Sequence, residues 1–453
     1  MKRNRFWLLV VGLALMSMVV AGCVVPAPTA QTVEVEVVVT ATPEPTPEKP
    51  LAGERITIVA IQGDPIYAAI SEVYTELTGL EFDIVEMPYG MAYEKELLNL
   101  SQGTAGYDVV TVDDPWWPQF AGSGWLTPLQ PYFEARGLSG PDEDFVDRPQ
   151  LLSRWPSTPD GELYGITAIG NVQHFIYRKD LAEKYDLLPL DTWDQVWEAA
   201  EIIEENEPGM KGYVMRGQRA NPAATASLPI FWGFGCRLFD EHWMPQTDSE
   251  ECKQAFEFYD QLAALHVPPG VASYDGAEVE RALAQGEAAM AMAWPGWTTN
   301  LGNPEMSETA GLWHWRPAPI QEGKEGGAMM GVWMWAIPEG SEKKDLAFDY
   351  ILWATGPEGQ KIQALMGAPP TRESVFQDPD VLEKYPHFSA VHAAQKEARM
   401  RPRTPVWGKA EEVWGTHISA MLADTETPEE ASELITQELT DIMVSEGVIP
   451  EQK

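Results

Sequence analysis

The sequence predicts an α/β protein with doubly wound sheets, built as two lobes. Strand-like and helix-like segments alternate from Arg55 onward, which is the order that produces a parallel sheet with helices on both faces. The chain has 453 residues, and a body of roughly 400 residues exceeds what one hydrophobic core usually holds. Order and length together favour two lobes of this class.

The first five elements of the body show the alternation most clearly. They are a strand at Arg55–Ala60, a helix at Ile66–Leu77, a strand at Phe82–Val85, a helix at Tyr93–Leu100 and a strand at Tyr107–Val112. The strands are short apolar runs, and in the first helix the apolar residues recur at helical spacing. Ligands of such sheets bind beyond the carboxyl ends of the strands.

The residues that follow these strands are therefore the first candidates for a ligand site. They are Gln62 and Asp64 after the first strand, Met87–Tyr89 after the second, and Asp113, Asp114 and Trp116 after the third. Adjacent carboxylates in a strand or turn point apart, so Asp113 and Asp114 do not suit a catalytic pair that shares a proton. We expect one of them to accept hydrogen bonds from ligand hydroxyls.

Later helices are marked by their capping residues. Thr192–Gln195 has the capping-box pattern at the start of a helix, and Thr427–Glu430 opens the last one. Ser341 is expected to cap a further helix that stops at Gly356, with Pro357 in the first turn of the next.

The N-terminus has the layout of a bacterial secretory signal. A basic stretch at residues 2–5 precedes the apolar run Phe6–Val20, and Val20–Cys23 resembles a lipobox. We expect residues 1–22 to be a lipoprotein signal peptide and Cys23 to carry lipid. Residues 23–52 would form a Pro/Thr/Glu tether. A plain signal peptide or a single membrane helix is the alternative.

Charge and cysteine content narrow the function classes. The chain has 69 acidic and 31 basic residues, a net charge of −38, which speaks against nucleic acid as a partner. Cys236 and Cys252 form either a disulfide or two buried free thiols. No spacing indicates a metal site or a cofactor, and the acidic run Asp142–Asp144 lacks the spacing of a calcium loop, which predicts a solvated turn.

Tryptophan is unusually frequent, with 18 residues against 14 Phe and 14 Tyr. Flat indole rings stack on the C–H faces of sugars, so Trp at loops and strand edges suggests a carbohydrate cleft. Such positions are Trp116, Trp294, Trp297, Trp333 and Trp335, and less strongly Trp232. For each, core packing stays open as the alternative.

Several motifs occur together in one order along the body. They are Gly165–Thr167 with Phe175–Leu181, Thr192–Asp194, Gly286–Met290 before Trp294–Trp297, Gly331–Pro338, Gly356–Lys361 and Pro370–Arg372. In this order the chain resembles the family 1 extracellular solute-binding proteins, the group that includes maltose- and other sugar-binding proteins. The resemblance covers nearly the whole body.

The resemblance implies the two-lobe, type II periplasmic-binding-protein-like fold with a ligand cleft between the lobes. Lobe 1 would comprise residues 53–165 plus 319–370, and lobe 2 residues 166–318 plus 371–453, joined by three crossings. Asn171, Gln173 and His174 lie inside the family signature. They would contact ligand or provide hinge hydrogen bonds, and Arg372 would reach the ligand or cap a turn.

The expected function is capture of a carbohydrate and its delivery to the transmembrane permease subunits of an ABC importer. The resemblance implies no enzyme activity, no cofactor and no metal. It also implies a monomer held by a lipid anchor at the extracytoplasmic face of the cell membrane. A surface-anchored glycoside hydrolase or a carbohydrate-binding adhesin is the alternative.

Overall fold

The computed structural model describes residues 49–450. The predicted signal peptide, the predicted lipid site Cys23 and nearly all of the predicted tether lie outside these residues. Lys49 Nζ donates to the Thr75 carbonyl at 3.1 Å and Leu51 N donates to the Thr78 carbonyl at 2.8 Å. Residues 49–52 therefore pack with the body, and the predicted extent of the tether stays a prediction.

The strands fall into two larger sheets and one short hairpin. In chain order they are β1 (Arg55–Ile61), β2 (Glu81–Met87), β3 (Val110–Asp113), β4 (Arg154–Trp155), β5 (Glu162–Leu163), β6 (Gly165–Ile169), β7 (His174–Arg178), β8 (Lys211–Tyr213), β9 (Ala288–Ala293), β10 (Trp313–Arg316) and β11 (Trp333–Ala336).

Helices follow or separate most of these strands. The first nine are α1 (Ile66–Thr78), α2 (Tyr89–Ser101), α3 (Trp117–Gly122), α4 (Gln130–Ala135), α5 (Asp147–Leu152), α6 (Lys179–Tyr185), α7 (Trp193–Asn206), α8 (Asn221–Gly233) and α9 (Glu250–His266). The others are α10 (Gly276–Ala284), α11 (Pro295–Leu301), α12 (Lys344–Ala354), α13 (Pro357–Leu365), α14 (Glu373–Phe376), α15 (Pro379–Lys384), α16 (Phe388–Glu397), α17 (Trp407–Leu422) and α18 (Pro428–Ser445).

The first sheet has the order β2-β1-β3-β11-β6. Strands β1 and β2 are parallel, and a parallel bridge from Ile58 to Val109 joins β1 to the start of β3. The predicted β-α-β-α-β start is thus confirmed. The late strand β11 runs antiparallel to both β3 and β6, so the sheet is mixed and not purely parallel.

The second sheet has the order β10-β7-β9-β8, and it is mixed in the same way. Strands β8 and β9 are parallel, whereas β7 is antiparallel to both β9 and β10. Because β6 belongs to the first sheet and β7 to the second, the first crossing lies at residues 170–173. The lobe boundary that we expected between residues 165 and 166 falls within β6. The remaining lobe boundaries stay a prediction.

Buried aromatic side chains pack between the first sheet and its helices. Trp335 is 1% exposed; its ring lies 5.6 Å from that of Tyr350 and 6.1 Å from that of Tyr67. In the second half, Trp193 and Trp414 are fully buried. The disulfide Cys236–Cys252 joins the end of α8 to α9.

The N-cap residues in the structure are the predicted ones at two helices and differ from the prediction at a third. Thr192 and Thr427 form capping boxes at the starts of α7 and α18. Ser341 does not cap α12, whose N-cap is Lys343. Its hydroxyl accepts from Lys343 N at 3.1 Å and donates to buried Asp108 at 2.7 Å, which ties the entry of α12 to the start of β3.

Candidate functional site: a cleft at the strand ends of both sheets

A cleft of about 770 Å³ opens where strands of both sheets end. From the first sheet it receives residues that follow β1, β2 and β3. From the second it receives residues that follow β8 and β9. This is the position that the strand-end rule predicts for a ligand site in α/β sheets.

Half of the predicted site residues line this cleft. They are Gln62, Asp64, Asp113, Asn171, Trp294, Trp297 and Trp333. Tyr89, which lies in one of the predicted segments after a strand, lines it as well. Apart from Asp113, which is 6% exposed, these side chains are half-buried or exposed, so their polar groups and ring faces are open to a solute.

The aromatic wall of the cleft rests on a second aromatic layer. The rings of Tyr89 and Trp333 are 5.9 Å apart, and Trp116 lies behind them at 5.0 and 5.6 Å. Trp116 is 6% exposed and does not line the cleft. The structure therefore corrects its predicted role: Trp116 supports the rings that face the solute.

Strand pairing explains why Trp333 faces the cleft and Trp335 does not. Trp333 pairs with Asp113 and Trp335 with Thr111, at the end and the middle of β3. Trp335 packs on Tyr67 and Tyr350 in the core, so its predicted ligand role is corrected.

The carboxylate of Asp113 is held in a fixed orientation at the carboxyl end of β3. Tyr89 Oη donates to its Oδ2 at 2.8 Å, and the backbone N–H of Asp114 donates to its Oδ1 at 2.9 Å. Burial raises the pKa of Asp113, an effect that the nearby Arg401 guanidinium opposes and the neighbouring Asp114 carboxylate reinforces. Asp113 is thus an oriented acceptor that protonates at a higher pH than an ordinary aspartate.

Asp114 points away from the cleft into a buried ion cluster. It is fully buried and accepts from Nη2 and Nε of Arg401, and Arg401 Nη1 donates to Glu411 Oε1 at 3.1 Å. Of the two aspartates, one of which we expected to accept from ligand hydroxyls, only Asp113 lines the cleft. The predicted direct contact of Asp114 is corrected, because its carboxylate neutralises Arg401 instead.

The opposite wall carries a second paired charge. Arg216 Nε donates to Asp275 Oδ1 at 2.8 Å, and its Nη1 donates to Thr225 Oγ1 at 2.8 Å. Asp275 is also the N-cap of α10, so the pair is anchored to a helix. Asn221 lines the same wall and donates to Glu411 at 3.1 Å.

Two predicted residues of the family signature lie behind this wall. Gln173 is 2% exposed and donates to the Thr225 carbonyl at 3.0 Å, so it supports the partner of Arg216. His174 is fully buried, and its Nε2 lies 2.7 Å from Thr298 Oγ1. Burial lowers the pKa of His174 to about 4, which keeps the ring neutral. Neither residue lines the cleft, which corrects their predicted contact with ligand.

Arg372 and Trp232 also lie elsewhere. Arg372 is 2% exposed and donates to the Thr355 carbonyl at 2.6 Å and to Asp142 and Asp144 at 2.7 and 3.1 Å. It therefore holds the acidic run, which is not merely a solvated turn. Trp232 is 5% exposed and lines a different pocket.

Sequence reasoning missed Arg216, Asn221, Asp275 and Arg401 as cleft residues. Arg216 and Asn221 follow β8, so the strand-end rule applies to them, but β8 is only three residues long. Arg401 lies in an irregular segment with no local pattern. Only the fold brings it to the cleft.

Within residues 49–450, no cluster of three or more His, Cys, Asp or Glu side chains is arranged to hold a metal ion. In the same range no helix combines the length and the apolar character that a bilayer crossing requires.

The chain belongs to the bacterial extracellular solute-binding protein family, whose sequence profile matches residues 60–361. It is therefore a solute-binding protein.

Among relatives, it is 27% identical over 418 residues to a probable amino-acid ABC transporter periplasmic-binding protein of Sinorhizobium fredii, with 88% of this chain and 92% of the relative covered. It is 27% identical over 290 residues to the mannitol-binding protein of Pseudomonas aeruginosa, with 60% of this chain and 62% of the relative covered.

Solved structures show the same fold. The maltose-bound MalE3 protein of T. maritima has a TM-score of 0.76 at 26% identity, covering 86% of this chain and 99% of its own. A solute-binding protein of Agrobacterium vitis with bound D-mannitol has a TM-score of 0.74 at 27% identity, covering 87% and 99%. The predicted two-lobe, type II periplasmic-binding-protein-like α/β fold is confirmed.

The two tryptophans of β11 provide a matched pair for a test. Trp333→Ala removes a ring from the cleft, so solute affinity should fall about tenfold or more, or ~1.4 kcal/mol, while stability changes little. Trp335→Ala empties a core position and should destabilise the fold by about 3–5 kcal/mol. Calorimetric titration and thermal unfolding measure the two effects. Equal losses of stability in both variants would contradict the assignment.

Proposed function

We propose that this protein captures a carbohydrate, meaning a sugar, an oligosaccharide or a polyol, and delivers it to the permease of an ABC importer. The observation that carries the proposal is the composition of the cleft. Half-buried indole rings and a phenol ring lie beside oriented carboxylate and amide groups. Rings stack on the C–H faces of a sugar, and carboxylates and amides match its hydroxyls.

Charge pairing in the cleft favours a neutral solute. The guanidinium of Arg216 is paired with Asp275, and that of Arg401 with Asp114 and Glu411. A charged ligand would compete with these partners, whereas a hydroxyl can share them through the remaining donors and acceptors. The names of two relatives, which bind mannitol and maltose, support the same class of solute.

The proposed mechanism is capture by closure. Contacts from both sheets favour a closed arrangement only to the extent that the ligand binds it more tightly than the open one. The segments at residues 170–173 and 317–332 connect the two sheets and would act as the hinge. We propose lobes of residues 53–165 plus 319–370 and 166–318 plus 371–453, with residues 166–169 counted with the first lobe because they belong to β6. Closure of the lobes encloses the ligand and leaves its covalent structure unchanged, so no catalytic step is proposed.

A ligand screen tests the proposed solute class. The purified protein is heated with monosaccharides, maltose and longer oligosaccharides, mannitol and other polyols, and amino acids. A ligand at 100-fold excess over its Kd should add about 2.7 kcal/mol of stability. We expect a rise with one carbohydrate class, and recovery of that ligand unchanged.

The other outcomes are equally informative. A rise only with amino acids would contradict the carbohydrate class and agree with the name of the Sinorhizobium relative. Cleavage of the sugar would favour the hydrolase alternative. No rise across the panel would favour an adhesin or another role.

Acidification should weaken carbohydrate binding. The side chain of Asp113 accepts hydroxyl hydrogen bonds most strongly when it is ionised, and its pKa lies above the ordinary range. Protonation therefore begins at a higher pH than for an exposed aspartate, and affinity is present above the raised pKa and lost as pH falls through it. Titrations from pH 8 to 5 measure the loss. Asp113→Asn should be weaker throughout and lack this dependence; an unchanged pH profile in the variant would contradict the role of Asp113.

We also propose a lipid anchor at Cys23, which would hold the binding body at the extracytoplasmic face of the membrane. We propose that the protein is a monomer there. The lipobox-like Val20–Cys23 supports this. Mass spectrometry of the protein from a bacterial host should find Cys23 as the N-terminal residue carrying acyl chains. The Cys23→Ser variant should keep its signal segment or be released from membranes. A mature N-terminus at any other residue would contradict the anchor.

A further inference from the structure

A second pocket, of about 410 Å³, shares no lining residue with the cleft. Three guanidinium groups and three aromatic rings meet in it. They belong to Arg148, Arg237, Arg399, Trp232, Phe239 and Trp243. We call this site the arginine pocket.

The positive charge of the arginine pocket is poorly compensated by the protein itself. Arg148 Nε donates to the Ala398 carbonyl, a neutral partner, at 2.7 Å. Arg237 approaches Glu325 only at 4.0 Å, with both side chains mostly exposed. In the part of the chain that the structure describes, the guanidinium of Arg399 has neither a hydrogen bond nor an ion pair.

The acidic side chain in the pocket does not change this balance. Asp240 uses one carboxylate oxygen to accept from the backbone N–H groups of His242 and Met244, at 2.8 and 2.9 Å. It closes its own turn and forms no ion pair with the arginines among the described residues. Three like charges therefore converge, although the chain has 69 acidic residues and a net charge of −38.

Such a cluster costs free energy in the empty protein. Burial lowers the pKa of Arg399, and the charge of Arg237 lowers it further; Glu325 opposes this, and Arg148 adds a smaller lowering. Guanidinium groups present their donors in a planar fork that matches a carboxylate. An anion bound among them would replace repulsion by paired hydrogen bonds.

The aromatic side of the pocket indicates what the anion carries. Trp232 is 5% exposed, and the rings of Phe239 and Trp243 lie 5.8 Å apart, edge to face. Half-buried rings next to the charged groups offer a flat apolar surface. A simple inorganic ion would leave this surface unused.

We propose that the arginine pocket is a second binding site, for a small organic anion that joins a carboxylate to a flat apolar group. The carboxylate would lie against Arg399 and Arg148, and the apolar group against Trp243 and Phe239. The site is separate from the cleft, so this proposal does not rest on the class of solute proposed for the cleft.

Calorimetric titration with benzoate at fixed ionic strength tests this site. We expect saturable binding to the purified protein with a Kd below about 1 mM. Benzamide, which has nearly the same shape and no charge, should bind at least tenfold more weakly. Absence of saturable benzoate binding, or equal binding of benzamide, would overturn the proposal.

Substitutions locate the binding. Arg399→Gln should weaken benzoate binding at least tenfold, and Arg148→Gln serves as a second variant if the first does not fold. Arg281→Gln, which removes one positive charge from the exposed pair with Glu287, is the matched control and should change affinity less than twofold. Trp333→Ala in the cleft should leave benzoate binding unchanged. An equal loss in the control, or a loss in the cleft variant, would overturn the site.

Thermal unfolding without benzoate separates a binding role from a structural one. Because Arg399 faces two like charges, Arg399→Gln should keep or raise the unfolding temperature of the empty protein. A pronounced fall would mean that Arg399 stabilises the fold, and would overturn the argument from uncompensated charge.

Discussion

The guanidinium of Arg401 is 2% exposed, and a charge so deeply buried is tolerated only with close partners of opposite sign. Its partners are Asp114 at the end of β3 and Glu411 on α17. The cluster thus joins the central strand of the first sheet to a helix that packs on α8 and α9. Removing Asp114 or Glu411 would leave the buried guanidinium of Arg401 with less compensating charge, so this end of the cleft depends on the cluster.

This cluster also determines what each of the adjacent aspartates does. Asp114 forms an ion pair with Arg401. Asp113 faces the cleft, and its orientation is set by the hydrogen bond from Tyr89. The same Tyr89 is part of the aromatic layer with Trp116 and Trp333. One end of β3 therefore positions both the polar and the aromatic halves of the site.

Much of the site could be predicted because strand ends in α/β sheets meet at one edge. That rule places Gln62, Asp64 and Asp113 at the cleft from the sequence alone. It does not say which of the two tryptophans of β11 faces a solute, because residues two apart in a strand point to the same face and differ only in their position along the strand. The pairing of β11 with β3 decides between them.

Other parts of the site depend on contacts that have no local signal. Arg372 falls in a motif shared with the family, yet its partners Asp142 and Asp144 lie some 230 residues earlier. The motif alone therefore suggested a ligand contact, because the ion pairs that give Arg372 a structural role cannot be read from the local sequence. Arg401 is the reverse case: an irregular segment carries it, and only the folded chain shows that it reaches β3.

The segment around Arg401 connects the two proposed binding regions. Arg399, Met400 and Pro402 line the arginine pocket, while Arg401 between them turns toward Asp114 and the cleft. The backbone of Arg399 is hydrogen-bonded to Ala328 and Met330, inside the segment that joins the two sheets. An anion bound between Arg399 and Arg148 would therefore contact a stretch of chain that is fixed both to the segment joining the sheets and to Asp114 beside the cleft. The coupling free energy between two sites is the change in the binding free energy of one ligand when the other ligand is bound, and it is the same for both ligands. If the pocket changes the spacing of this segment, occupancy of one site must alter affinity at the other by the same factor in each direction.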